Sequence, residues 1–351
     1  MIIFLKPMIL ASFTTILAIY ILRPFAVNIK LLDFPSGRKQ HEGNIPLIGG
    51  ISIFLGLIVS ILMSPADLND FNYFIFASLI LLIIGVIDDH SNMAVSYRLI
   101  FQFIAATIMV TAGGQSIESI GDLFGYGEVT LNEWSMIISI LAVITGINAV
   151  NMTDGIHGLA GGSSLVSFLA ISILAINSTS QISLLISLLF CAVLPIFLIN
   201  NLCIGIPSNK RIFLGDAGSM FIGLSLTWVL FDFSQGEGRS FSPALALWLF
   251  AFPLIEMASS VLRRVSNGIS PFKPDSSHLH HLLLKLGISE KKTLIILIIF
   301  STMMAVIGVL CEWYGAPEYL MFIIFLAIFM AYFFTGKLVL KKVNKLNQKY
   351  D

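Results

Sequence analysis

Long apolar runs follow one another along this chain, separated by short polar segments, and within the runs polar and apolar residues do not alternate. A hydrocarbon core about 30 Å thick takes roughly 20 apolar residues in a helix, with a lower limit near 17. Runs of that kind lie at 8–27, 47–64, 71–87, 97–113, 134–150, 159–177, 181–199, 214–231, 242–262, 293–311 and 317–336, eleven in all. Membrane β-strands would be about ten residues long and strictly alternating. The pattern therefore predicts an all-α polytopic membrane protein, a single domain over 1–351 with a basic tail at 337–351. A short polar turn joins 159–177 to 181–199, which makes those two antiparallel neighbours. The first run, "MILASFTTILAIYILRPFAV", is not followed by a small-residue cleavage site and reads as a retained helix.

Composition agrees. Hydrophobic residues make up 57% of the 351, charged residues 11%, and mean hydropathy is +0.92. A soluble domain carries about 25% charged residues, so lipid must be the main solvent of this chain. Net charge is zero, and nothing points to nucleic acid as a partner. Cys191, Cys203 and Cys311 are far apart and show no metal spacing; they read as reduced thiols in or beside the spans.

Eleven spans put the termini on opposite sides, and the charges choose which. One set of loops carries Lys30, Arg38, Lys39, Arg98, Lys210, Arg211, Arg263, Arg264, Lys273, Lys285, Lys291 and Lys292, together with the basic tail. The other set holds Lys6 and Arg239 among many acids, including Asp67, Asp70, Glu118, Glu128, Asp232, Glu312 and Glu318. Positive charge is retained inside, so the N-terminus is expected outside and the C-terminus in the cytoplasm.

All six histidines then fall on the cytoplasmic side: His41, His90, His157, His278, His280 and His281. Asp88, Asp89, Asp154, Asp216 and Asp275 join them. In "GVIDDHSN" two carboxylates end the third span. Two unit charges 5 Å apart at an effective dielectric of 20 repel by about 3 kcal/mol, and a helix C-terminus disfavours anions further. A cation between them, or a proton on one, would relieve that cost. In "FLGDAGSMFIG" Asp216 opens the eighth span, either as a helix cap or, beside the cations of "PSNKR", as a ligand for Mg²⁺ and phosphate. In "NAVNMTDGIHGLAGG", Asn148, Asn151 and Asp154 recur at threes and line one side of a helix end. The glycines that follow serve close helix packing or leave backbone amides open to an anion. In "SPFKPDSSHLHHLLLKLG", Asp275 or a following serine caps a short helix that Gly287 stops. Its leucines are expected to face lipid, with His278 and His281 on one face and His280 turned away. Glu256 lies inside the ninth span, where an acid costs roughly 2.5–3.5 kcal/mol and marks either function or a polar partner.

Taken in series, "DFPSGRKQHEGNIPLIGG", "GVIDDH", "NAVNMTDGIHGLAGG", "FLGDAGS" and "SPFKPDSSHLHHL" resemble the polyprenyl-phosphate N-acetylhexosamine-1-phosphate transferases over nearly the whole chain. The resemblance is strongest to the branch that moves GlcNAc-1-phosphate from UDP-GlcNAc to undecaprenyl phosphate and releases UMP, the first membrane step of a cell-envelope polysaccharide. It implies a bacterial inner-membrane enzyme with its site facing the cytoplasm. Asp216 would hold Mg²⁺, or Mn²⁺ in its place, with Asp89 as a second metal carboxylate. Asp88 and Asp89 would serve the lipid phosphate, Asp88 as base or orienting group. Asn148, Asn151, Asp154, His157 and Arg264 would line the nucleotide and sugar pocket, and His278, His280 and His281 would contact the pyrophosphate. One departure stands out: the usual pattern is Asp-Gly-x-Asp-Gly, and here His157 takes the second acidic place. Direct attack and a two-step route through an aspartyl-phosphate are both open at this level. So are GalNAc, a deoxy-amino sugar or muramoyl pentapeptide as cargo, and a homodimer as the assembly. A transporter is the rival from another class, though transporters keep ionisable groups near mid-membrane, and here they gather at one boundary.

Overall fold

A computed structural model describes residues 2–34, 43–64, 71–270 and 278–347. Arg38, Lys39, His41, Asp67, Asp70, Lys273 and Asp275 lie outside the described residues. The chain runs through α1 (Ile2–Asn28), a two-residue ribbon β1 (Leu32–Asp33) and β2 (Ile45–Pro46), α2 (Gly49–Leu62), α3 (Asn72–Ser91) and α4 (Val95–Thr107), which continues as a π-helical turn (Ile108–Ala112). Then come α5 (Ser135–Thr153), α6 (Leu159–Leu174), α7 (Gln181–Asn201), α8 (Gly215–Ser234), α9 (Pro243–Leu249), α10 (Ala251–Ser266), α11 (Leu279–Lys285), α12 (Glu290–Trp313) and α13 (Glu318–Asn347). The protein is an all-α, multi-pass membrane protein.

Each of the eleven apolar runs is helical, but they are not eleven equal spans. Among the described residues eight helices are long and apolar enough to cross a membrane. The 14-residue α2 and the 16-residue α6 fall short of that length. The run at 242–262 is not one straight helix: α9 and α10 meet at a bend of 81°. Proline explains the break. Pro253 has no N–H to give the carbonyl four residues back, and its ring crowds that carbonyl. The carbonyl belongs to Leu249, and Ser167 of α6 donates its hydroxyl to it at 2.7 Å instead. The pair α6 and α7 packs as antiparallel neighbours should, with Phe168 stacked on Phe190 at 4.3 Å and the Ser172 and Ser187 hydroxyls 2.8 Å apart.

The axis of the molecule is α8. Every one of its residues is buried except Asp216 near one end and Asp232 near the other. Small residues let its neighbours come close. A Cβ on Gly85 of α3 would lie 2.2 Å from Ala217 Cα, and one on Gly223 of α8 would lie 2.6 Å from Ile147 Cα of α5. Such backbone approach is how helices associate without a hydrophobic gradient between them. It also sets the register: the C-terminal turns of α3 and α5 are brought against the N-terminus of α8.

Polar side chains sort to the two ends. At the far end Asp232 accepts from Ser180 and Gln115, Arg239 pairs with Glu128 at 3.0 Å, and Glu312 accepts from the Ser242 hydroxyl at 2.6 Å. The near end holds the candidate site.

Candidate active site at the head of the central helix

Asp216 lies in the first turn of α8, not at its cap: Gly215 precedes it with φ of +75°, a backbone that favours glycine. The cap comes from another helix. Asp89 of α3 accepts the N–H of Asp216 at 2.8 Å and that of Ala217 at 3.3 Å. A carboxylate that would be disfavoured at the C-terminus of its own helix is thereby placed on the positive end of α8. Its neighbour Asp88, only 4% exposed, accepts from Met93 N–H at 2.6 Å and from Arg98 at 2.7 Å. Both carboxylates of the pair are thus bonded, one to a helix end and one to a guanidinium. Arg98 in turn stands 3.7 Å from the second oxygen of Asp216.

From α5, Asn151 donates to Asp216 Oδ1 at 2.6 Å and reaches Ser219 Oγ at 2.9 Å. Asn148, one turn earlier, points elsewhere: it donates to Gln102 of α4 at 2.6 Å and to the carbonyl of Ile144 at 2.8 Å, tying α4 to α5. Asp154 ends α5. It is exposed to solvent among the helix ends, near enough to Asp216 and Asp33 to feel their charge. Partial dehydration there, and then the Asp216 and Asp33 carboxylates, push its pKa up to about 7. The ribbon that carries Asp33 is tied to the same place, since Phe213, just before α8, donates its N–H to the carbonyl of Pro46 at 2.9 Å.

The histidine loop docks on this assembly from the side. Glu256 of α10 has no exposed surface. It bonds His278 Nδ1 at 2.9 Å, accepts Leu279 N–H at 3.0 Å, and accepts the hydroxyl of Tyr332. Its partners are therefore the histidine loop and α13. The expected division of the histidines does not hold. His278 precedes α11 and stacks on His280 at 5.4 Å, while His281 lies 4.2 Å from His280, so the three rings form one cluster. The leucines do not turn to lipid either. Leu282 is fully buried, and Leu279, Leu283 and Leu284 pack with Phe252 and Leu297. The short helix satisfies its apolar side against protein because α10 and α12 leave a groove beside it. His280 is 1% exposed, and among the described residues neither ring nitrogen has a hydrogen-bond partner. Burial, and then the charge of His281, lower its pKa to about 3, which favours the neutral ring. A Cβ on Gly155 would come 2.1 Å from His280 Nε2; this glycine admits the ring. Gly161 and Gly162 serve packing, against Phe197 and Ile298. Arg264 is buried in the last turn of α10, and the cation beside Asp216 is Arg98. His157 rests against Phe213, with ring centres 5.1 Å apart.

These residues fit Mg²⁺ in one particular way. Among the described residues no three acidic, histidine or cysteine side chains converge as a cage. Mg²⁺ does not require one, since it is commonly held by one or two carboxylates plus water and substrate phosphate. Asp216 offers an oxygen not taken by Asn151, and Asp154 offers an accessible carboxylate nearby. Asp89, committed to two backbone amides, is better placed to fix Asp216 than to bind metal itself.

Several members of this site were not singled out by the sequence. Arg98 counted there only as a loop charge, and Gln102 and Tyr332 carried no motif. Their one signal is a lone polar residue in or next to an apolar run, which does not say what it meets.

Residues 71–234 match the family model described as glycosyl transferase family 4. The chain is 35% identical over 323 residues to the undecaprenyl-phosphate alpha-N-acetylglucosaminyl 1-phosphate transferase of Salmonella typhi, covering 91% of this chain and 87% of that one. The protein of the same description from Escherichia coli strain K12 shows the same identity and coverage. That from Haemophilus influenzae is 37% identical over 322 residues, 91% and 90% of the two chains.

Proposed function

This chain belongs to glycosyl transferase family 4, the polyprenyl-phosphate N-acetylhexosamine-1-phosphate transferases, and from that premise we propose that it transfers GlcNAc-1-phosphate from UDP-GlcNAc to undecaprenyl phosphate. The products are undecaprenyl-diphospho-GlcNAc and UMP, formed at the cytoplasmic face of the inner membrane. One observation carries the reading: Asp88, Asp89, Asn151 and Asp216, from three separate helices, meet at the head of the buried α8.

The reaction brings two anions together. An oxygen of the lipid phosphate attacks the β-phosphorus of the donor, forming a new P–O–P bridge. The bond from that phosphorus to the bridging oxygen breaks, and UMP departs with the oxygen and its electron pair. Catalysis of this kind rests on positioning and on charge placed in advance. A divalent ion bound at Asp216 would supply positive charge to the diphosphate. Asp89 fixes the first turn of α8 that presents Asp216, and Asn151 selects which oxygen of Asp216 stays free. Arg98, held by Asp88, leaves a guanidinium edge for phosphate. With both its oxygens engaged, Asp88 is better suited to orient Arg98 than to serve as nucleophile or base. That favours direct attack over an aspartyl-phosphate intermediate. From Ala217 to Phe231 α8 is buried and carries no charge, and its Ser219, Ser225 and Thr227 hydroxyls donate to carbonyls of the same helix, which speaks against a transporter.

Asp216→Asn keeps the bond to Asn151 within reach but removes the charge. UMP release in Mg²⁺ with purified protein, UDP-GlcNAc and undecaprenyl phosphate should fall at least a hundredfold, and chelation of the wild type should do the same. Turnover near the wild-type rate in either case would defeat the assignment.

A further inference from the structure

Glu290, His157 and Arg211 form a line of contacts that the transfer chemistry above leaves unused. Glu290 opens α12, His157 lies in the turn between α5 and α6, and Arg211 lies just before α8. One oxygen of Glu290 accepts the backbone N–H of His157 at 2.9 Å and also meets its ring at Nδ1. The other ring nitrogen, Nε2, stands 3.4 Å from Arg211 Nη1, at the long end of hydrogen bonding.

The two contacts fix the proton. A carboxylate only accepts and a guanidinium only donates. The ring must therefore carry hydrogen on Nδ1, toward Glu290, and offer the lone pair of Nε2 to Arg211. That is the neutral tautomer, and its orientation is set by the carboxylate. The Phe213 ring closes one side of the imidazole. Glu290 thus supplies, from a distant helix, an acid at the place where the sequence has His157 in place of the usual aspartate.

Arg211 is what this arrangement holds. It is half-buried, and its Nε–H is buried with no acceptor among the described residues. A buried donor left open costs free energy unless a ligand fills it. Ile212, Phe213 and Leu214 link this arginine to the turn that carries Asp216. We propose that the Glu290–His157 pair positions Arg211 as a contact for the diphosphate of a nucleotide donor, an inference that rests on the transferase reading for the identity of the donor. Arg211 touches the oxyanion; His157 and Glu290 are positioning residues that act through it.

The test is UDP binding in the presence of Mg²⁺, measured by calorimetric titration on the full chain in detergent, with a melting curve for each variant. A charge-assisted hydrogen bond lost from a phosphate site weakens binding about tenfold or more. Arg211→Ala should show that loss. His157→Ala and Glu290→Gln should each weaken UDP about three- to tenfold, and neither should add more than about twofold in the Arg211→Ala background. If Arg211→Ala does not fold, Arg211→Lys replaces it, with an expected loss of about threefold because a point charge lacks the guanidinium fork. UDP affinity unchanged in the arginine variant would overturn the proposal. So would a wild type without affinity for UDP, or full histidine and glutamate effects persisting without the arginine. UMP release on the same preparations separates the two readings. No turnover with arginine-dependent UDP binding intact sinks the transferase reading and spares the relay, whereas turnover with arginine-independent binding sinks the relay alone.

Discussion

Three donors converge on one buried carboxylate at Glu256: the His278 ring, the Leu279 amide and the Tyr332 hydroxyl. An acid inside a membrane-embedded helix is expensive without partners, and here its partners come from the loop and from α13, which it staples to α10. Glu256→Gln keeps the shape but turns one acceptor into a donor, which must then face a donor. Removing a buried acceptor costs about 1–3 kcal/mol, so the melting temperature in detergent should drop clearly. Tyr332→Phe deletes only one of the three donors and should cost about 1 kcal/mol. Equal melting of wild type and Glu256→Gln would mean that the staple contributes nothing. The sequence marked Glu256 as needing a partner but could not name it, because His278 and Tyr332 are separated from it by 22 and 76 residues. The same holds for the acidic pair. Its electrostatic problem was legible, while its solution, α8 for Asp89 and Arg98 for Asp88, depends on a helix crossing.

Single elements show where periodicity succeeds and where it fails. The run at 293–311 forms one unbroken helix, and that at 181–199 does so even with Pro195 inside it, near its end. The run at 242–262 bends because Pro253 outweighs its apolar length. The leucines of α11 carry a stripe that looks the same whether it meets lipid or protein, and only packing against Phe252 and Leu297 decides. That docking has a pH consequence. Burial lowers the pKa of His280 to about 3 in the folded protein, against 6.5 for an ordinary histidine. The unfolded chain therefore binds the extra proton between those values, and stability falls as pH drops below 6.5. The melting temperature should decline on acidification from about pH 7 to pH 5, and less steeply in His280→Phe, which keeps an aromatic ring without the basic nitrogens. Identical slopes would show that the histidine titrates freely in the folded state.

For the whole molecule, Asp88, Asp89, Asp154, Asp216, His157 and the His278–His280–His281 cluster, which the sequence groups on one side, lie toward one end of the bundle. There α3, α5, α8, α10 and α12 each contribute a polar residue, and the other end is closed by its own ion pairs. Motif order was legible because each motif sits at a helix end, and helix ends alternate between the two faces. The convergence on α8 was not, since it depends on backbone contacts at Gly85 and Gly223 that composition does not encode. A buried central helix with the candidate site at one end suits reaction at a surface better than passage of a solute. UDP-GlcNAc labelled at the β-phosphorus tests that most directly, with the protein reconstituted in vesicles containing undecaprenyl phosphate. The account predicts label in the lipid fraction as a diphosphate-linked GlcNAc and unlabelled UMP in the water; label that stays on UDP, or that enters the vesicles as intact UDP-GlcNAc, would contradict it.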